Sequence, residues 1–154
     1  MPSKRTEIMQ KEVLEYLGEF RALKSPNISA KMELSFLDCS YEDKFLKLQF
    51  PITEFMINSL NTVHGGALAT VMDITMGNLS YYITGHRSAP TAMLNVNFLR
   101  PAFLGDVLTS HAVVKKAGNS LVSVYCEIEN KINCELIANA TAAFSIIPGQ
   151  TADY

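Results

Sequence analysis

The chain has 154 residues, a length that fills one hydrophobic core but hardly two, so a single domain over residues 1–154 is expected. Hydrophobic residues make up 48% and charged ones only 18%, below the roughly 25% usual for soluble domains, which argues against disorder and points to surface hidden in an oligomer. Thirteen basic against fifteen acidic side chains give a net charge of -2 with no basic block, so nucleic acid is excluded as a general partner.

At the start, Lys4 and Arg5 lead into Glu7, Gln10, Lys11 and Glu12 rather than an apolar segment, so no secretory leader is expected. From Thr6 to Leu23 the apolar residues Ile8, Met9, Val13, Tyr16, Leu17, Phe20 and Leu23 recur at helical spacing with charges between them, and Ser25-Pro26-Asn27 ends the helix. Residues 32–39 and 43–50 read as paired strands: Leu46, Leu48 and Phe50 alternate with Lys47 and Gln49, and Tyr41-Glu42-Asp43 turns between them. Thr53 to Val63 has no period and reads as an irregular connection ending at His64.

A long apolar helix is expected from Gly66 to about Ile83, closed by Gly85. A membrane span is disfavoured there, because Asp73 near the middle of the apolar stretch would cost roughly 2.5–3.5 kcal/mol in a bilayer. Four strands follow over Thr91–Leu99, Asp106–Lys116, Ser120–Glu129 and Glu135–Ile147. The third puts Val122, Val124, Cys126 and Ile128 on one face, and the fourth offers a small-residue face of Ala138, Ala140 and Ala142. Strands, one helix and then a run of strands cannot make βαβ units; an antiparallel sheet curled around one apolar helix fits. Cys39, Cys126 and Cys134 form no ligand cluster with His64, His86 and His111. They read as reduced thiols of a cytoplasmic protein with no metal site.

Two features carry chemistry, and they share the long helix. His64-Gly65-Gly66 opens it, where unpaired N–H groups and the helix dipole favour negative charge or a developing oxyanion; the bland reading is a tight turn. Asp73 lies inside it among Leu68, Val71, Met72, Ile74 and Met76, an unusual place for a carboxylate and one that implies partial desolvation. It is either a structural group bonded to its neighbours or a catalytic one. Eight residues of helix separate Gly65 from Asp73 by roughly 12 Å, too far for one carbonyl carbon to touch both. Either the two serve different purposes, or a second copy of the chain brings its Asp73 to this Gly65 across a two-fold axis.

Asn58, His64-Gly65-Gly66, Asp73, the segment Asn97-Phe98-Leu99-Arg100-Pro101 and the Gly105-Asp106 turn resemble the hotdog-fold acyl-CoA thioesterases, in the PaaI-like branch of the 4-hydroxybenzoyl-CoA thioesterase superfamily. The likeness spans about residues 45–147. It implies an α+β hotdog, a sheet wrapped around a central helix, here with an extra N-terminal helix over about 6–23 and the core over about 32–147, assembled as homodimers and often homotetramers. It further implies hydrolysis of acyl-CoA with no cofactor and no metal. Gly65, with Gly66 assisting, would receive the thioester oxygen, and Asn58 would hold that carbonyl or the attacking water. Asp73 of the partner subunit would be general base or nucleophile. His64 would orient Asn58 and the loop, or be a hydrogen-bonded loop residue, and Thr91 would place water or be an ordinary strand threonine. Arg100 leads Arg87, Lys115 and Lys116 as a candidate for the phosphates of CoA, and Val63, Leu68, Met72 and Met76 are candidates for the acyl pocket. The rival from another class is a hotdog module that binds acyl-CoA or a lipid ligand without turnover.

Overall fold

A computed structural model describes residues 1–22 and 27–149, apart from the side chains of 20–22. Leu23, Ser25 and Pro26, where the leading helix was expected to stop, lie outside the described residues.

The leading helix α1 runs Lys4–Ala22. Its stripe of Met9, Val13 and Leu17, spaced four residues apart, is buried, and the helix packs along strand β1 (Ser35–Ser40). Its N-terminus is tethered to the following hairpin: Ser3 and Thr6 hydroxyls donate to the Glu42 carboxylate, and Arg5 lies 5.2 Å over the Tyr41 ring. A single turn, α2 (Ile28–Lys31), is capped by Asn27 and precedes β1.

Strand β1 pairs with β2 (Phe45–Pro51) in the expected hairpin. The connection to residue 63 is irregular as expected, apart from a 3-10 turn at Glu54–Met56 and a bridge between Ile57 and Val63. The central helix α3 spans Gly65–Ile83, starting one residue earlier than the pattern suggested because His64 rather than Gly65 is its cap. It ends in a Schellman turn: Gly85 N–H donates to Tyr82 O and His86 N–H to Tyr81 O, with Gly85 at φ +72°.

Strands β3 (Thr91–Phe98), β4 (Val107–Ala117), β5 (Leu121–Asn130) and β6 (Leu136–Ser145) complete one antiparallel sheet in the order β1-β2-β4-β5-β6-β3. One face of this sheet wraps α3. Alternation in the central strands buries Leu108, Ala112, Val122, Val124, Cys126 and Ile128 against Leu68, Val71, Met72, Met76 and Leu79, each large apolar side chain contributing about 1.5–3 kcal/mol. Ala138, Ala140 and Ala142 supply the small face of β6, and at Gly77 a side chain would meet the Phe144 ring at 3.4 Å.

One polar chain crosses this core. Ser110 on β4 donates to the Thr75 hydroxyl at 2.9 Å, Thr75 donates to Val71 O at 2.8 Å, and the Cys126 thiol is 3.3 Å from Ser110. Since buried polar groups are costly when unpaired, this chain fixes the rotation of α3 and so decides which residues it turns outward. All three cysteines are free; burial pushes the Cys39 thiol up to about 11 and that of Cys126 up to about 12, which leaves both unreactive. Among the described residues no helix is long and apolar enough to cross a membrane.

Candidate active site

The loop before α3 is built around Asn58. Its Oδ1 accepts from Leu60 N–H at 2.9 Å and Thr62 N–H at 3.3 Å, while its amide donates to the Thr62 hydroxyl at 3.0 Å. The Asn58 N–H also reaches Thr62 O at 2.9 Å, and Asn61 takes a left-handed φ of +59° to let the loop close. His64 N–H then donates to Met56 O at 2.7 Å, which sets where the helix begins.

His64 caps that helix with its side chain: Nδ1 accepts from Gly66 N–H at 2.9 Å, so the proton of the neutral ring sits on Nε2. Two consequences follow. The Gly66 N–H is occupied within its own chain, whereas that of Gly65 has no acceptor among the described residues. Each glycine also has a steric reason to lack a side chain. A Cβ on Gly65 would come within 2.9 Å of the Phe98 ring, and one on Gly66 within 3.0 Å of His64 Nδ1.

Around Gly65 lies a cleft of about 350 Å³, lined by Thr62, Val63, Leu68, Phe98, Leu99 and Arg100 among others. Arg100 is exposed at its rim and donates one Nη1 bond to Leu136 O at 2.9 Å. Among the described residues no carboxylate lines this cleft.

Asp73 occupies a second cleft, of about 410 Å³. The carboxylate is half-buried, and its Oδ1 accepts from the Thr91 hydroxyl at 2.7 Å. Thr91 reaches it because a bulge between Thr91 and Met93 interrupts the register of β3 with β6. Further lining comes from Ile74, Gly77, Tyr81 and Phe144, and from Glu12, Glu15, Tyr16 and Glu19 of α1.

The expected site residues therefore form two groups. Asn58, Val63, His64, Gly65, Gly66, Leu68 and Arg100 gather at the start of α3, and Asp73 and Thr91 gather two turns further along, roughly 12 Å away. Asn58 and His64 each spend hydrogen bonds on the loop and the cap, and no hydrogen bond joins their side chains. Met72 and Met76 are fully buried in the core and line neither cleft. Three contributors escaped the sequence reading. Thr62 was one of several threonines in an unpatterned loop, Phe98 was read only as part of a motif, and the acids of α1 were read only as the charges between its apolar positions. Among the described residues no three His, Cys, Asp or Glu side chains gather as a metal site.

Residues 60–135 match the family model described as the thioesterase superfamily. The chain is 27% identical over 117 residues to acyl-coenzyme A thioesterase 13 of Mus musculus, covering 75% of this chain and 81% of that one. It is 29% identical over 94 residues to the putative esterase F42H10.6 of Caenorhabditis elegans, covering 61% of this chain and 56%, about half, of that protein's length. Among solved structures, the zebrafish thioesterase superfamily member 2 superposes with a TM-score of 0.81 at 20% identity, over 90% of this chain and 98% of that one. The E. coli PaaI protein from the phenylacetic acid degradation operon superposes with a TM-score of 0.72 at 22% identity, over 89% and 97%. At these identities the structural likeness establishes the hotdog fold.

Proposed function

We propose, from the match of residues 60–135 to the thioesterase superfamily, that this chain hydrolyses acyl-CoA thioesters to free acid and CoA. The single observation that carries the reading is the division of labour along α3: an unpaired N–H at Gly65 and a Thr91-held carboxylate at Asp73, each opening into its own cleft.

In the reaction the thioester carbonyl lies against Gly65 N–H. Asp73 takes a proton from water, the water oxygen attacks the carbonyl carbon, and the carbonyl electrons move onto oxygen, where the Gly65 dipole and the helix N-terminus stabilise the charge. Collapse of the tetrahedral intermediate expels CoA thiolate, a good leaving group that needs little protonation. Thr91 donates to Oδ1 of Asp73 and so leaves Oδ2 to face the water. Asn58 shapes the cradle through Thr62, and Gly66 assists if the His64 cap opens. Val63 and Leu68 meet the substrate beside Gly65, with Arg100 placed for a CoA phosphate.

Because 12 Å of helix separates base from cradle, the reading requires two copies of the chain, each lending Asp73 to the other's Gly65. It treats residues 1–154 as one domain and the assembly as a dimer or a dimer of dimers. Strand β3 is the natural seam: it is a sheet edge, Met93 and Phe98 are 47% and 55% exposed along it, and Leu99 just beyond its end is 47% exposed.

Replacing Asp73 with Asn tests the base. Hydrolysis, followed as thiol release from a panel of acyl-CoAs, is expected to fall by about 10²–10⁴ with the circular dichroism spectrum unchanged. Undiminished turnover overturns the assignment. In single-turnover hydrolysis in H₂¹⁸O, label in the Asp73 carboxylate identifies the nucleophile role, since only a mixed anhydride opened by water at the aspartyl carbon puts it there.

A further inference from the structure

Helix α1 is the element that neither the family likeness nor the chemistry above uses. Its acidic residues Glu12, Glu15 and Glu19 stand at i, i+3 and i+7, and Tyr16 at i+4, so they share one helical face. Ordinarily such a face simply meets water. Here the apolar stripe Met9, Val13 and Leu17 is spent on β1, so α1 leans against the hairpin and leaves a gap beside α3. That gap is the cleft of Asp73, and the acidic face forms one of its walls. The opposite wall is Asp73, Ile74, Gly77 and Tyr81, with Phe144 also lining the space.

The cleft therefore holds four carboxylates and no lysine or arginine among its described lining. Two of the acids have partners at its edge: His86 Nε2–H donates to Glu12 at 2.9 Å, and Lys11 lies 3.6 Å from Glu15 on the exposed side of the helix. The latter pair is largely solvated and screens little of the charge seen from the cleft. The Gly65 cleft has the opposite character, with Arg100, a helix N-terminus and no carboxylate among its described lining. A CoA thioester laid across the two has one arrangement that matches these fields, with its phosphates toward Arg100 and its acyl group toward Asp73.

We propose that α1 is the selectivity wall of the acyl pocket: Glu12, Glu15 and Glu19 exclude acyl groups that end in a carboxylate and reserve the cleft for uncharged acyl groups. The proposal rests on the reading of the chain as an acyl-CoA hydrolase with Asp73 at the thioester. It adds the substrate class and the residues that set it. An ω-carboxylate entering this cleft meets like charge from α1 on one side and from Asp73 on the other. An alkyl or aryl chain of the same length instead meets the faces of Tyr16, Tyr81 and Phe144.

The test measures binding, so that it does not depend on turnover. Calorimetry on the full chain compares two thioether ligands of equal length, S-hexyl-CoA and S-(5-carboxypentyl)-CoA. The wild type is expected to bind the hexyl ligand about ten-fold more tightly or better, with the gap shrinking as salt rises from 0.05 to 0.5 M, roughly as several like charges in a wet cleft require. The Glu15→Gln/Glu19→Gln variant is expected to gain affinity for the carboxylate ligand, narrowing the ratio by about three-fold or more, a gain that misfolding cannot produce. Glu7→Gln, on the same helix outside the cleft, should leave the ratio where it was. Equal affinities in the wild type, no binding of either ligand, or a ratio unmoved by the double variant overturns the proposal. If the ratio moves as expected while Asp73→Asn still hydrolyses hexanoyl-CoA at full rate, the base assignment fails and the selectivity wall stands.

Discussion

At Gly65 two demands meet on one residue: a backbone N–H left unpaired, and no side chain in the space before it. Those demands predict separable effects of Gly65→Ala. The added Cβ displaces the Phe98 ring, which is 55% exposed and free to swing, so the stability should change by less than about 1 kcal/mol. The same methyl stands where the thioester carbonyl approaches, so turnover should fall by about 10², the loss typical of a spoiled oxyanion donor. Thermal unfolding and thiol release on one preparation check both halves; a fully active variant removes Gly65 from the cradle. His64 shows a parallel economy, because the Nδ1 that caps the helix also fixes the ring tautomer.

Among the elements, α1 depends on electrostatics as well as packing. Its N-terminus is tied to the β1–β2 hairpin through Glu42, whose carboxylate accepts from Ser3 and Thr6, while Thr6 Oγ1 in turn accepts from Tyr41 N–H at 3.0 Å. The Ser3 and Thr6 bonds favour the ionised form and hold the Glu42 pKa below its ordinary value. A carboxylate with a depressed native pKa stabilises the fold above its unfolded pKa and stops doing so as pH falls through the native one. The tether is therefore expected to be complete at neutral pH and to loosen in acid, below the usual glutamate range. Exchange of the Thr6 and Tyr41 amides, corrected for the intrinsic effect of pH, reads this directly, and Glu42→Gln at neutral pH should reproduce the acid behaviour. Amides equally protected in acid and in that variant would show that Met9, Val13 and Leu17 alone hold the helix.

For the molecule as a whole, the decisive quantity is the separation along α3. If one chain supplies the cradle and another the base, Gly65→Ala and Asp73→Asn chains are each inactive as homodimers yet complement each other. Mixed and allowed to exchange, half of the dimers become hybrids with one intact site, and activity should recover to about a quarter of wild type. A site contained within one chain predicts no recovery. Hybrid formation is followed independently by mass measurement on chains of different tag size, so that failed exchange is not mistaken for failed complementation.

Much of this architecture was legible in the residues. Alternation fixed the buried faces of β2, β5 and β6, and the apolar stretch with Gly85 after it bounded α3 to within a residue, because periodicity and chain-reversing turns are local properties. The motif from His64 to Asp73 was local as well, and the length of helix between its ends already left two readings, separate purposes or a second chain. Three arrangements were decided only in three dimensions: the bulge that turns Thr91 to Asp73, the Phe98 ring over Gly65, and the acids of α1 facing a cleft instead of open water. Each joins residues far apart in the chain through a register or a docking angle, and these are set by how the whole core packs, which no window of sequence contains.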